Sequence, residues 1–174
     1  MGGQTYAVAT YRYAGLALAP VATPTDIIII QGSATKTLIV KRVKLVGAAT
    51  AAGNMPAKIE RRSTAGTIGS AVLTAVVAAK HDSVDAAATA TVSTVGTANY
   101  TTVGTTAGIV GTGRLQMTAL GTGVAVVPLE WDFACRDDKG IYLRGALEFL
   151  CVNLNGAAIP AGGVVDYEIE IEEV

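Results

Sequence analysis

Val165-Asp-Tyr-Glu-Ile-Glu-Ile-Glu172 alternates without a break: Val165, Tyr167, Ile169 and Ile171 fall on one side, Asp166, Glu168, Glu170 and Glu172 on the other. In an extended chain successive side chains point to opposite faces, so this is a half-buried strand with an apolar inner row and a carboxylate outer row. Working back through residues 131–174, Ile141 to Arg144 and Leu147 to Leu154 are further β-rich runs, separated by Gly145. Asn155-Gly156 opens a Gly/Pro-rich turn region that closes at Gly163.

The same periodicity extends toward the N-terminus. Leu129, Trp131 and Phe133 alternate with Glu130 and Asp132, and Asp26-Ile-Ile-Ile-Ile-Gln31 is apolar on both sides, as expected of a strand between two layers. Thr37 to Val46 is a strand whose alternation slips at Lys41-Arg42, which predicts a bulge there. Lys58-Ile-Glu-Arg-Arg62 follows as a charged strand, a candidate hairpin partner for it. Residues 71–79 fit either a short helix or a strand, and residues 86–127 are rich in Ala, Thr, Gly and Val with weak alternation. The Gly104 to Gly113 run is expected to be a flexible loop, because a phosphate cradle needs a Gly-Lys-Ser/Thr ending and a following helix.

Eight to ten short strands without a convincing long helix predict an all-β fold, a jelly roll or β-sandwich of antiparallel strands. A chain of 174 residues fits one domain spanning residues 1–174, with residues 1–20 as an N-terminal arm or edge strand. Trp131, Phe133, Phe149, Tyr167 and Ile169 are the expected large side chains of its core.

Charged residues make up 16% of the chain, against roughly 25% in ordinary soluble domains, and the mean hydropathy is +0.45. So little charge predicts that part of the exterior is covered by copies of the chain or by another protein. A net charge of -1 and a pI near 5.8 argue against nucleic acid, whose phosphates demand Lys and Arg. The Ile27 to Ile30 run is far shorter than the roughly 20 residues a membrane helix needs. Ala17-Leu18-Ala19 mimics a signal-peptidase site, but no basic region precedes it and Tyr11-Arg12-Tyr13 interrupts the apolar stretch, so a signal peptide is not expected. Cys135 and Cys151 are expected in strands as free thiols rather than a disulfide.

Chemistry-bearing clusters are sparse. His81-Asp82-Ser83 holds the residue types of a hydrolase triad, but triads are defined by spatial convergence and their members usually lie far apart in the chain. A polar loop in which Asp82 or Ser83 bonds local backbone is the expected role. His81 is the single histidine, which disfavours transition-metal centres built from several imidazoles. Asp82 with Asp85, and Asp137 with Asp138, lack the calcium-loop spacing and read as turn carboxylates. Glu168, Glu170 and Glu172 face solvent or pair with Lys41, Arg42 and Lys44 across strands or subunits. No enzymatic activity, metal or cofactor is expected. Tyr6, Tyr11, Arg12 and Tyr13 form the densest aromatic group and are the candidate protein-contact residues, since Tyr and Arg are favoured interface anchors.

The order of features, from the apolar strand through Thr37 to Leu45, Lys58 to Ser63, the Lys80-His-Asp-Ser83 loop and Leu129 to Phe133 to the final block Ile141 to Glu173, resembles small jelly-roll virion proteins of tailed bacteriophages. Within that group it is similar to capsid decoration, or cement, proteins, and the likeness in pattern spans most of the chain. The resemblance implies a homo-oligomer, often a trimer, made in the host cytoplasm and seated on the outside of the virion head. Its implied partner is the major capsid protein, whose neighbouring subunits it holds together. The competing class is a carbohydrate-binding or host-attachment β-sandwich of a tail or fibre, which would use aromatic platforms and calcium-bound loops.

Overall fold

The computed structural model describes residues 8–96, 98–121, 123–135 and 139–174. The described residues form twelve strands: β1 (Ala9–Leu18), β2 (Asp26–Gln31), β3 (Leu38–Ala49), β4 (Gly53–Arg62), β5 (Leu73–Ala75), β6 (Ala78–Lys80), β7 (Thr91–Val95), β8 (Thr106–Ala119), β9 (Leu129–Asp132), β10 (Ile141–Leu143), β11 (Phe149–Asn153) and β12 (Val164–Glu173). The excess over the expected eight to ten comes from β5 and β6, which have three residues each and carry too little alternation to be told from helix, whereas the equally short β10 falls in the β-rich run expected at Ile141 to Arg144.

The pairing is that of a jelly roll. The last strand, β12, lies between β1 and β3, and the strand before it, β11, lies between β2 and β4. Such an arrangement arises when a long antiparallel ribbon wraps on itself, so β1 and β12 lie side by side in one layer and β2 and β11 side by side in the facing one. The layers are joined at β8, which runs antiparallel to β4 and then pairs in parallel with β3 through Met117, Thr118 and Ala119. The sheet is therefore mixed rather than wholly antiparallel. It also explains why β3 and β4 make no hairpin: the end of β8 sits between them.

Alternation in β12 places Val165, Ile169 and Ile171 in the core, all fully buried, with Tyr167 packed at its margin. Glu173 continues the inward row and is also fully buried, although its charge reads as an outer-face residue. The predicted bulge in β3 is present: Glu170 pairs with Arg42 but Ile171 pairs with Val40, leaving Lys41 as the extra residue. The other edge of β3 is used in turn by β10 before the bulge and by β9 and β8 after it.

The Gly104 to Gly113 region is not a loop. Most of it is β8, and its glycines make room for a neighbouring layer: a Cβ on Gly111 would lie 2.7 Å from Trp131, and one on Gly113 would lie 2.6 Å from Leu129. The Trp131 indole N–H donates to the Thr112 carbonyl at 3.3 Å. Glycine here permits close approach of side chains to backbone, which a composition-based loop reading misses.

Residues 71–79 resolve into β5 and β6, which part to opposite edges of the fold: β5 extends the β2 layer through β7, and β6 pairs with β1. The segment between β4 and β8 is thus an insertion that closes the flank of the sandwich. It also covers the outer face of β11, whose five residues are all buried. Leu150 and Val152 face the inner core, whereas Phe149 and Cys151 lie under the insertion, so Phe149 is not an inner-core residue as expected. The Asn155-Gly156 turn forms as predicted, with φ of 58° and 65°, the left-handed pair that tight reversals require.

Candidate functional site

The N-terminal Tyr/Arg group is taken apart by strand geometry. Tyr6 lies outside the described residues. Tyr11 and Tyr13, two apart on β1, share the inner face and are almost fully buried, while Arg12 between them points outward. The Tyr11 hydroxyl donates to the Ala86 carbonyl at 2.9 Å and the Tyr13 hydroxyl to the Ala90 carbonyl at 3.1 Å. Neither ring offers surface to a partner, and the i, i+2 spacing that buries both was readable in the sequence. Residues 9–18 are also not a free arm or simple edge, because β1 pairs with β12 on one side and over Tyr11 to Tyr13 with β6 on the other.

Those tyrosines belong to an internal clamp on the insertion. The buried carboxylate of Glu173 accepts from the backbone N–H of Thr89 at 2.7 Å and of Ala90 at 2.8 Å, and from the Thr89 hydroxyl at 3.1 Å. Lys36 approaches it at 3.6 Å. Burial first, and the Glu173 charge second, raise the pKa of both Tyr11 and Tyr13 above the ordinary 10.0 of a phenol. Their protonated forms are favoured by folding, so this contribution is fully present below pH about 10 and is lost as pH rises through the native values. We expect alkaline unfolding to begin above about pH 10. Absorbance titration at 295 nm should show part of the tyrosinate signal appearing together with loss of far-UV circular dichroism. Full tyrosine ionisation in a still-folded chain would contradict the clamp.

The carboxylate row of β12 is paired within the chain. Glu170 meets Arg12 at 3.2 Å, Glu168 meets Arg42 at 2.5 Å, and Glu172 meets Lys41 at 3.1 Å. Acidic residues of the central strand thus alternate with cations of β1 and β3. Partly exposed pairs like these contribute about 0–1 kcal/mol each, so their main effect is to neutralise a solvent-facing sheet.

A second charged group is deeply buried. On the outer face of the β2–β11–β4 layer, Arg62 donates to Asp26 at 2.8 Å, to Glu60 at 2.7 Å and to the Gly104 carbonyl at 2.9 Å, with its side chain only 3% exposed. Asn153 adds a bond to Asp26 at 2.6 Å, and Lys58 reaches Glu60 at 2.8 Å. Burial opposes the Arg62 charge, but the Asp26 hydrogen bond and the surrounding carboxylates offset it and leave its pKa raised. Next to this group is a cavity of about 180 Å³ under the insertion, walled by Ile29, Leu73, Tyr100, Phe149 and Cys151. Burial, with Asp26 second, pushes the Cys151 thiol up to about 12, so it is protonated and a weak nucleophile at neutral pH. Cys151 and Cys135 are both free; Cys135 is exposed beyond the end of β9 rather than in a strand.

The His81-Asp82-Ser83 segment is an exposed turn after β6. The His81 N–H donates to the Thr10 carbonyl at 3.0 Å, and Asp82 accepts from the Val84 N–H at 3.0 Å, so Asp82 bonds local backbone. Among the described residues no three His, Cys, Asp or Glu side chains gather as a metal set, and Asp137 and Asp138 lie outside those residues.

What stands out on the surface is apolar. Residues 63–79 contain no charged side chain, and within them Val77 is 86% exposed, with Ile68 and Val72 also facing solvent on the insertion flank. A second uncharged surface lies at one end of the sandwich. The registers Leu18 with Val165, Ala48 with Val164, and Gly53 with Met117 bring the described residues of four connections together there: 19–25, 50–52, 120–121 with 123–128, and 154–163. None of residues 13–25, 45–57, 115–129 or 149–165 is charged. The connections are tied by backbone bonds from Thr50 to Ala161 at 2.9 Å, Leu120 to Ala49 at 3.0 Å, Ile159 to Ala22 at 2.8 Å and Gly156 to Pro24 at 2.9 Å. Leu120 is 67% and Val124 64% exposed. Comparison with protein-family models, curated proteins and solved structures finds no match to this chain.

Proposed function

We propose that the protein is a non-enzymatic virion structural protein of the capsid decoration, or cement, type: an oligomer that binds the major capsid protein on the outside of a tailed-phage head. The observation that carries this reading is the insertion flank, where Val72 and Val77 are held facing water on an uncharged stretch. Large apolar side chains held facing water on a stretch without charge mark a candidate protein-contact surface. The order of sequence features along the chain, which resembles that of jelly-roll decoration proteins, supports the kind of partner. A cement protein stabilises a shell because it binds the assembled form and not the free subunits, a gain of roughly 2.7 kcal/mol per site at a free concentration one hundred times Kd.

The test is sedimentation of the purified protein with phage heads stripped of it, followed by heating of the heads. The wild-type chain is expected to co-sediment and to raise the temperature at which heads rupture. Val72→Asp with Val77→Asp should weaken co-sedimentation at least tenfold without changing the unfolding midpoint of the free protein. A wild-type chain that ignores heads but binds saccharides on a glycan array would replace this reading with host attachment.

A further inference from the structure

We propose that Lys58 and Asn153 are the reactants of a self-catalysed cross-link, an isopeptide bond between the Lys58 amine and the Asn153 side-chain carbonyl formed with loss of ammonia. The proposal goes beyond the virion reading and is independent of what the protein binds. Three adjacent strands place the necessary groups on one rung. Asn153 of β11 is in register with Lys58 of β4 on one side and with Asp26 of β2 on the other. Residues directly opposed on neighbouring strands have Cβ atoms about 4.5–5.5 Å apart, within the reach of a lysine side chain. Polar contacts arrive at the same pair by a second route. Lys58 bonds Glu60, Glu60 and Asp26 both bind Arg62, and Asp26 bonds Asn153, so the amine hangs from one buried carboxylate and the amide from the other. Lys58, Glu60, Arg62 and Asn153 also line one depression of about 270 Å³, through which ammonia can leave.

An ammonium group does not attack an unactivated amide, and this rung answers each obstacle. The Lys58 ammonium donates to Glu60 at 2.8 Å, and Glu60, 4% exposed, is the base that takes its proton and leaves a nucleophilic amine. The Asn153 carbonyl oxygen accepts from the Asn155 backbone N–H at 2.7 Å, a donor aimed at the atom where negative charge develops. The Asn153 amide nitrogen donates to Asp26 at 2.6 Å, which places a carboxylate on the leaving group. Arg62 holds both carboxylates, at 2.8 Å for Asp26 and 2.7 Å for Glu60, and fixes their positions.

In the reaction the amine forms a bond to Asn153 Cγ, and the carbonyl electron pair moves to Oδ1. Asp26 takes the proton shed by the attacking nitrogen and passes it to Nδ2. The carbonyl then reforms, the Cγ–Nδ2 bond breaks, and ammonia departs with the proton held by Glu60. Lysine ammonium and carboxamide thus become a secondary amide and ammonium, with no oxidant or reductant involved and both carboxylates restored. The product ties β4 to β11 permanently beside the insertion.

Intact mass spectrometry of the folded full chain tests this. The wild-type protein is expected to be one ammonia lighter than its sequence mass. Trypsin should release one branched peptide that joins residues 45–61 to residues 145–174. Lys58→Arg keeps a cation for Glu60 but no competent nucleophile, and should show the full sequence mass with those two peptides separate. Glu60→Gln should slow ammonia loss after refolding about a hundredfold or more. A folded wild-type chain that retains its full mass would overturn the proposal, as would ammonia loss that persists in Lys58→Arg. Ammonia loss with the two peptides recovered apart would assign it to cyclisation at Asn155-Gly156 and overturn it equally. The wild-type peptide map decides the matter even where a variant does not fold. A cross-linked chain that ignores phage heads removes the capsid reading and leaves this one standing.

Discussion

Ile169→Asp is expected to lower the free energy of unfolding by more than about 4 kcal/mol, enough to remove most of the stability of a typical domain. Ile169 is fully buried in β12, in register with Tyr13 of β1 and Val43 of β3, which are buried as well. An aspartate there must either ionise in an apolar interior or fold protonated without the water it had in the open chain, and both are costly. The cations on the neighbouring strands cannot help, because Arg12 and Arg42 project from the opposite face to pair with Glu170 and Glu168. Next along the strand, Glu170→Ala should cost only about 1 kcal/mol or less, since it removes half-exposed ion pairs. Urea unfolding of the two variants checks the contrast. Equal midpoints would mean that the faces of β12 are reversed.

The second large effect is expected at Arg62. Arg62→Met should destabilise the fold by about 3–5 kcal/mol, the range for breaking a buried ion pair from one side. The loss is not mainly that of an attraction. Asp26 and Glu60 would remain buried beneath the insertion, Asp26 with the Asn153 amide and Glu60 with Lys58. The triple change Asp26→Asn, Glu60→Gln and Arg62→Met removes the stranded charges together and should recover much of the loss. Chemical unfolding of single and triple variants separates the cases. If Arg62→Met alone costs less than 1 kcal/mol, the group does not anchor the insertion to the β2–β11–β4 layer.

Much of the fold was legible because period-two alternation is a local property. The Val165 to Ile171 row, the Leu129 and Trp131 pair, the slip at Lys41 and the Asn155-Gly156 turn each follow from side-chain direction or backbone conformation within a few residues. The first half of strand β8 was hidden because Gly111 and Gly113 remove the alternating side chains that signal a strand, and the reason for those glycines, Leu129 and Trp131 lying against them, comes from another part of the chain. The Tyr11 and Tyr13 rings were assigned to a contact surface on residue type, although their spacing already placed them on one face. Alternation puts Glu173 on the inner row, but its burial could not be recognised: what makes it tolerable is the pair of N–H groups at Thr89 and Ala90, far away in sequence.

By itself the sequence determined an all-β chain, its turn chemistry, the inner and outer faces of its longest regular strands, and its scarcity of charge, since each depends on composition or on neighbours along the backbone. Only the tertiary structure decided which strands meet, that β8 joins the two layers in a mixed sheet, and that the insertion buries Phe149 and Cys151. In the sequence the uncharged stretches are four separate runs, residues 13–25, 45–57, 115–129 and 149–165. They become one surface only because antiparallel and parallel registers bring their turns to the same end of the sandwich, and proximity created by long-range pairing has no signature in the local sequence.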